Sequence, residues 1–309
     1  MPVRAKLILA SLLAAAPAAA ETLRVGPGER FRAPSEAAAA VRPGDRVLIA
    51  PGTYADCATW RAASVTVEAA PGGAVVITGP ACGGKGLFVA AAPNLTVIDL
   101  TFRGAAVPDG NGAGIRGDGQ GDLTVRRSVF ENNENGILAG GTAPFRLVVE
   151  DSLFRGNGAL RPGRDCAHGI YAGMFGTVSI RRSHFVGTRT CHHVKSRALR
   201  TEVLDSVIED GPEGDSSYLV DVPNGGDLLL ARNTLRKGPR SDNPNTAVMI
   251  GAEGVRHPTR SLRIENNRFE NLQGRATAFV VNRSGVPAEL QGNRLSGAVT
   301  PLVGVGVVR

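Results

Sequence analysis

The stretch "LVVEDSLFRG", Leu147 to Gly156, is a short alternating segment followed by Ser152 and, two places on, by Phe154. The same pattern returns as "LTVIDLTFRG" from Leu95, "LTVRRSVFEN" from Leu123, "VSIRRSHFVG" from Val178 and "TEVLDSVIED" from Thr201. It continues as "LLLARNTLRK" from Leu228, "LRIENNRFEN" from Leu262 and "AELQGNRLSG" from Ala288, with starts 23 to 34 residues apart. When the copies are stacked, Val97, Val125, Val149, Ile180, Val203, Leu230, Ile264 and Leu290 form one apolar column. Phe102, Phe130, Phe154, Phe185, Ile208, Leu235, Phe269 and Leu295 form another. Between them run Ser128, Ser152, Ser183, Ser206, Asn233, Asn267 and Asn293, which can hydrogen-bond from copy to copy along a corner whose backbone groups need partners.

One such unit cannot bury its apolar face alone, whereas a stack makes a continuous core, so the repeat predicts a solenoid. Leucine-rich and helical repeats do not fit, because the segments alternate with period two between Gly and Asn turns and lack long helical stretches. The fold class is all-β, and a parallel β-helix remains.

The N-terminal segment "LRVGPGERFRAPSEAAAAVRPGDRVLIAPGTYAD", Leu23 to Asp56, resembles the opening of proteins in the pectin-lyase-like superfamily. The resemblance implies a single-stranded right-handed parallel β-helix over residues 21–309, with 21–60 as N-terminal cap and first coil. It also implies that Ser35 caps a short helix ending at Ala40 and closing the solenoid. This superfamily holds lyases, hydrolases, esterases, epimerases and noncatalytic spikes, so the fold by itself selects no activity.

In such a fold about 25 residues make one coil. That is the separation of Cys57 from Cys82 and of Cys166 from Cys191, and two disulfides are expected. A metal site at Cys166 with His168, His192 and His193 is the alternative, although no C-x-x-C spacing accompanies it.

The chain opens "MPVRAKLILASLLAAAPAAAETLRV", with Arg4 and Lys6 before an apolar run and small residues ending at Ala20. This pattern predicts a signal peptide over residues 1–20 and a periplasmic or secreted protein, without membrane insertion. Removing Arg4 and Lys6 lowers the formal charge from +7 to +5. That balance suits an acidic partner, and export argues against nucleic acid.

A second strand in each coil is anchored on Ile115, Ile137, Ile170, Val194, Val220, Val248 and Phe279 as inward residues. Alternation then turns the positions one before, one after and three after each anchor to solvent. In "HHVKSRALR", His192 to Arg200, those positions are His193, Lys195 and Arg197, with Ser196 inward. The neighbours of Lys195 in the adjacent coils are Tyr171 and Asp221, and the column continues to Arg116, Leu138, Met249 and Val280. Small flanking residues, among them Gly140, Gly173, Pro223 and Gly251, leave a shallow groove that Arg161, Arg164 and Arg240 could wall. A solvated basic face is the bland reading of each cation. The convergence of His193, Lys195, Arg197, Tyr171 and Asp221 within a few coils favours a site.

A glycoside hydrolase needs paired carboxylates, and the column offers Asp221 alone. Uronate β-elimination needs a base, a cation for the developing enolate charge and an acid for the leaving oxygen. Lys195 fits the base and Arg197 a carboxylate fork, while Tyr171 or His193 fits the acid. His168, Asp221, Arg116 and Arg200 are expected substrate contacts. Around Lys195 and Ser196 the chain is similar to the chondroitinase B and alginate lyase family, in which a Lys-Ser pair supplies the catalytic lysine and the next coil an arginine. This chain has Asp221 where that arginine stands, so the charge-neutralising role passes to Arg197 or to a calcium ion held partly by Asp221. "EDGPEGDSS", Glu209 to Ser217, reads either as a second calcium candidate or as a solvated turn.

The expected protein is a monomeric lyase of an acidic, uronate-containing polysaccharide, with calcium the one cofactor considered. A noncatalytic acidic-glycan-binding β-helix is the alternative, with uronate epimerase or glycoside hydrolase behind it.

Overall fold

The computed structural model describes residues 19–160 and 166–309. The expected signal peptide, except for Ala19 and Ala20, lies outside the described residues, as do Arg161 and Arg164.

Each complete coil gives one strand to each of three sheets, of twelve, ten and ten strands, the first sheet having an extra strand at each end, and the pairing runs parallel from one coil to the next. The repeat builds the first two sheets. In the coil of Leu147, the first-sheet strand is Arg146–Glu150 and the second-sheet strand Leu153–Arg155. The corner between them requires a left-handed residue, which is Arg127, Asp151, Arg182, Asp205 or Arg232 in successive coils. That conformation costs a non-glycine residue about 1 kcal/mol. The residue that follows it offsets the cost: Ser128 N donates to Ser152 Oγ at 3.2 Å, Ser152 N to Ser183 Oγ at 3.2 Å and Ser183 N to Ser206 Oγ at 3.1 Å. Asn233 and Asn267 extend the ladder by side-chain amides, at 3.0 and 2.9 Å.

Both apolar columns lie inside. Phe102, Phe130, Phe154 and Phe185 stack with ring centroids 5.1, 4.6 and 4.5 Å apart, and all four are fully buried. Leu295, the last of its column, is half-buried.

The helix Pro34–Ala40 covers the first coils with Pro34, Ala37 and Ala38, but its N-cap is Ala33 and Ser35 caps nothing. The orphan N–H of Ser35 is taken instead by Asp56 Oδ2, 2.8 Å away in the next coil. Cys57–Cys82 and Cys166–Cys191 are disulfides, which fits an oxidising compartment and leaves no free thiol for metal. Among the described residues no helix is long and apolar enough to cross a membrane.

The third sheet carries the groove. Its inward anchors are fully buried as expected, with one shift of register: Val248 pairs with Val280, not Phe279. The outward column therefore runs Asp221, Met249, Val281 and on to Val303. Phe279 is turned into the core, where it stacks on Phe269 at 5.0 Å.

Candidate functional site

Tyr171, Lys195 and Asp221 occupy one register position in three consecutive coils, on the strands Ile170–Ala172, Val194–Ser196 and Val220–Val222. Arg116, in the strand Ala113–Gly117, leads the same column through Leu138. Arg116, Leu138, Tyr171 and Lys195 line, with Arg197 and His168, a groove of about 500 Å³ that Asn111, Asn135, Cys166, His192 and Glu253 complete, while Asp221 lies buried behind Lys195 and His192.

Two expected site residues are elsewhere. His193 is fully buried, its Nδ1 2.8 Å from Thr188 Oγ1 and its Nε2 3.0 Å from Asp210 Oδ1. The strand begins only at Val194, so strict alternation does not reach the position before it. At this corner that position turns inward in other coils too, where it is Gly136, Gly169, Leu219 and Ala247, all buried. A Cβ on Gly169 would lie 2.5 Å from His193 O, which shows how closely the backbones approach there. Arg200 belongs to the first sheet, in the strand Arg200–Leu204, and pairs with Glu202 at 2.8 Å away from the groove. Arg240 likewise pairs with Glu213, at 2.7 Å.

The position two before each anchor, where the sequence named His168 alone as a substrate contact, forms a second row of Asn135, His168, His192 and Tyr218, the first three of which line the groove. A chain of bonds links them. Asn135 Oδ1 accepts His168 N at 2.8 Å, His168 Nδ1 accepts His192 N at 3.2 Å, and His192 Nδ1 accepts Tyr218 N at 3.2 Å. The rings stack as well, with His168–His192 centroids 4.9 Å and His192–Tyr218 centroids 4.8 Å apart. An Nδ1 that accepts a backbone N–H carries no proton, so both neutral imidazoles hold theirs on Nε2. Burial favours this neutral form, with the nearby Lys195 charge acting in the same direction. It lowers His168 to about 3 and puts His192 well below 6.5, where His168 adds to the lowering ahead of Lys195.

Glu253, which no sequence pattern marked, comes from the turn after the strand Thr246–Ile250. Its Oε1 lies 2.7 Å from Lys195 Nζ and its Oε2 2.6 Å from Arg197 Nη2. Asn224 holds this turn by accepting Arg256 N on its backbone oxygen, and its side-chain Oδ1 accepts from Arg197 Nη1. Arg197 Nε donates to Tyr171 OH at 2.8 Å. Asp221 is 2% exposed, with Oδ2 3.5 Å from both Lys195 Nζ and His192 Nε2, and with Oδ1 unpartnered. Burial raises its carboxyl from 3.8 to about 6, against the pull of Lys195.

The surroundings of Asp221 do not fit calcium, which takes six to eight oxygen ligands. Two nitrogens stand nearest its carboxylate, and Glu253 is committed to two cations. The segment Glu209 to Ser217 does not fit either. Glu209 pairs with His184 and Arg236, Asp210 with His193, and Asp215 Oδ1 accepts Thr190 N.

No family model and no curated protein sequence matches the chain. Among solved structures it is similar to the alginate lyase from Paenibacillus sp. str. FPU-7, with 14% identity over 93% of this chain and 99% of that one and a TM-score of 0.44. It is also similar to a mutant of the PL6 family alginate lyase AlyGC, with 14% identity over 94% of this chain and 39% of that one and a TM-score of 0.41. Likenesses this distant carry no argument about the chemistry of the groove.

Proposed function

We propose that this is an exported protein acting on an acidic, uronate-containing polysaccharide, and that it cleaves the chain by β-elimination. The observation that supports this most is the direct linkage of an amine, a guanidinium and a phenol in one open groove: Lys195 and Arg197 share Glu253, and Arg197 donates to Tyr171.

In this reading Arg197 takes the uronate carboxylate in place of Glu253 and holds the negative charge that develops on it. Lys195 removes the adjacent carbon-bound proton, having passed its own to Asp221 or Glu253, the two carboxylates that bracket it. The electron pair forms the new carbon–carbon double bond, the glycosidic carbon–oxygen bond breaks, and Tyr171 gives its proton to the departing oxygen. His192, held neutral with its proton on Nε2, faces Asp221 and helps to orient it.

A second reading, a binding protein without turnover, is favoured by one observation. Both cations of the clamp are already paired with Glu253.

The test is to incubate the protein with alginate, pectate, glycosaminoglycans and bacterial exopolysaccharides, following ultraviolet absorbance of the unsaturated uronate together with new reducing ends. Both signals on one substrate support elimination. Reducing ends without the absorbance would replace it with hydrolysis by Asp221 and Glu253. Binding with neither signal would leave the second reading.

A further inference from the structure

Beyond the Lys195 end of the groove, three hydrogen-bond donors are left without partners among the described residues. Arg116 Nε is buried and unbonded, and Arg116 has no ion pair. Asn135 is 1% exposed, and its Nδ2 makes no bond. Its orientation is not arbitrary, because Oδ1 is committed to His168 N, so two N–H groups point the other way. His168 is the third: its Nδ1 accepts His192 N, which leaves an Nε2–H with no partner. All three residues line the same groove. The nearby acid, Glu134, turns its Oε2 to the N–H groups of Val107 and Gly112, at 2.9 and 2.8 Å.

Leaving buried donors such as Arg116 Nε and Asn135 Nδ2 unpaired is costly, so their clustering in one groove, beside the Nε2–H of His168, marks a place built for an acceptor. We propose that Arg116, Asn135 and His168 form a second anion subsite, which binds an acidic group of the same polymer away from the reacting sugar. Arg116 and Lys195 are three coils apart, about 14 Å, so the ligand is a polyanion whose charges recur along the chain. The subsite also supplies a first foothold. Glu253 occupies Lys195 and Arg197, whereas Arg116 is free to capture an anion before that clamp opens.

This inference rests on the reading of the groove as an acidic-glycan site, and its test measures binding rather than turnover. In a Lys195→Ala background, the affinities of a uronate oligosaccharide, a sulfated oligosaccharide and a neutral one of equal length are compared by calorimetry with and without Arg116→Gln or Asn135→Asp. Asn135→Asp keeps the acceptor for His168 N and replaces the donors with a negative charge. Arg116→Gln touches no bond that holds the fold. Each change is expected to weaken an acidic oligosaccharide about tenfold or more and to leave the neutral one within about twofold. The more strongly affected acidic ligand identifies the group as carboxylate or sulfate. Unchanged acidic binding in Arg116→Gln overturns the subsite, and so does a background protein that binds neither acidic ligand. Weakened binding in a protein whose parent turns over no glycan keeps the subsite and discards the lyase reading.

Discussion

Glu253 Oε1 stands 2.7 Å from Lys195 Nζ, across 58 residues of sequence. Its other oxygen is on Arg197, so an internal carboxylate fills the clamp proposed for the carboxylate of the substrate. Glu253→Gln removes that competitor and adds one positive charge to the groove. Affinity for an acidic glycan is expected to rise severalfold, with a steeper loss as salt is added. Equal affinities for parent and variant over a salt series would mean that Glu253 does not compete.

Lys195 and Arg197 should separate by their kinetics. Lys195→Ala is expected to lower turnover by about a hundredfold to ten-thousandfold and to leave glycan binding within a few fold, since a proton-transfer group acts in the transition state. Arg197→Ala should impair both, because a carboxylate fork holds bound substrate as well as developing charge. Steady-state rates and calorimetric affinities check this. Parent-like values in both variants would return the cluster to a solvated basic face.

Asp221 predicts a pH dependence of stability. Its folded value is raised by burial from 3.8 to about 6, so folding takes up protons between those values. The contribution is fully present below the unfolded value and is lost as pH rises through about 6. Two units amount to about 3 kcal/mol. The stability of Asp221→Asn relative to the parent should therefore be greater at about pH 7 than at about pH 4 by an amount of that order. Denaturant unfolding at the two pH values measures it, and a difference that does not vary with pH contradicts the assignment.

Phe154 lies between Phe130 and Phe185 with both neighbouring rings within 4.6 Å, so its loss is felt by three coils. Phe154→Ala is expected to cost about 3 to 5 kcal/mol. Equilibrium unfolding with a change below about 1 kcal/mol would be inconsistent with so tightly packed a stack.

The solenoid, its apolar columns, the Ser and Asn ladder and the cysteine partners were legible in the sequence. Each rests on a regularity that recurs once per coil, and parallel stacking places equal positions next to one another. Lys195, Tyr171 and Asp221 were found by the same logic, inside strands where side chains alternate. Alternation fails at the corner before Val194, and there the tertiary structure buried His193 and turned His192 into the groove. The row Asn135, His168, His192, Tyr218 did leave a trace, since each lies two places before an anchor, but only the backbone path shows which way a corner residue faces. Glu253 left none. Its position depends on a turn that folds back over the groove and is fastened to Asn224, and such a contact follows from where the coils bring distant segments together, not from any local pattern.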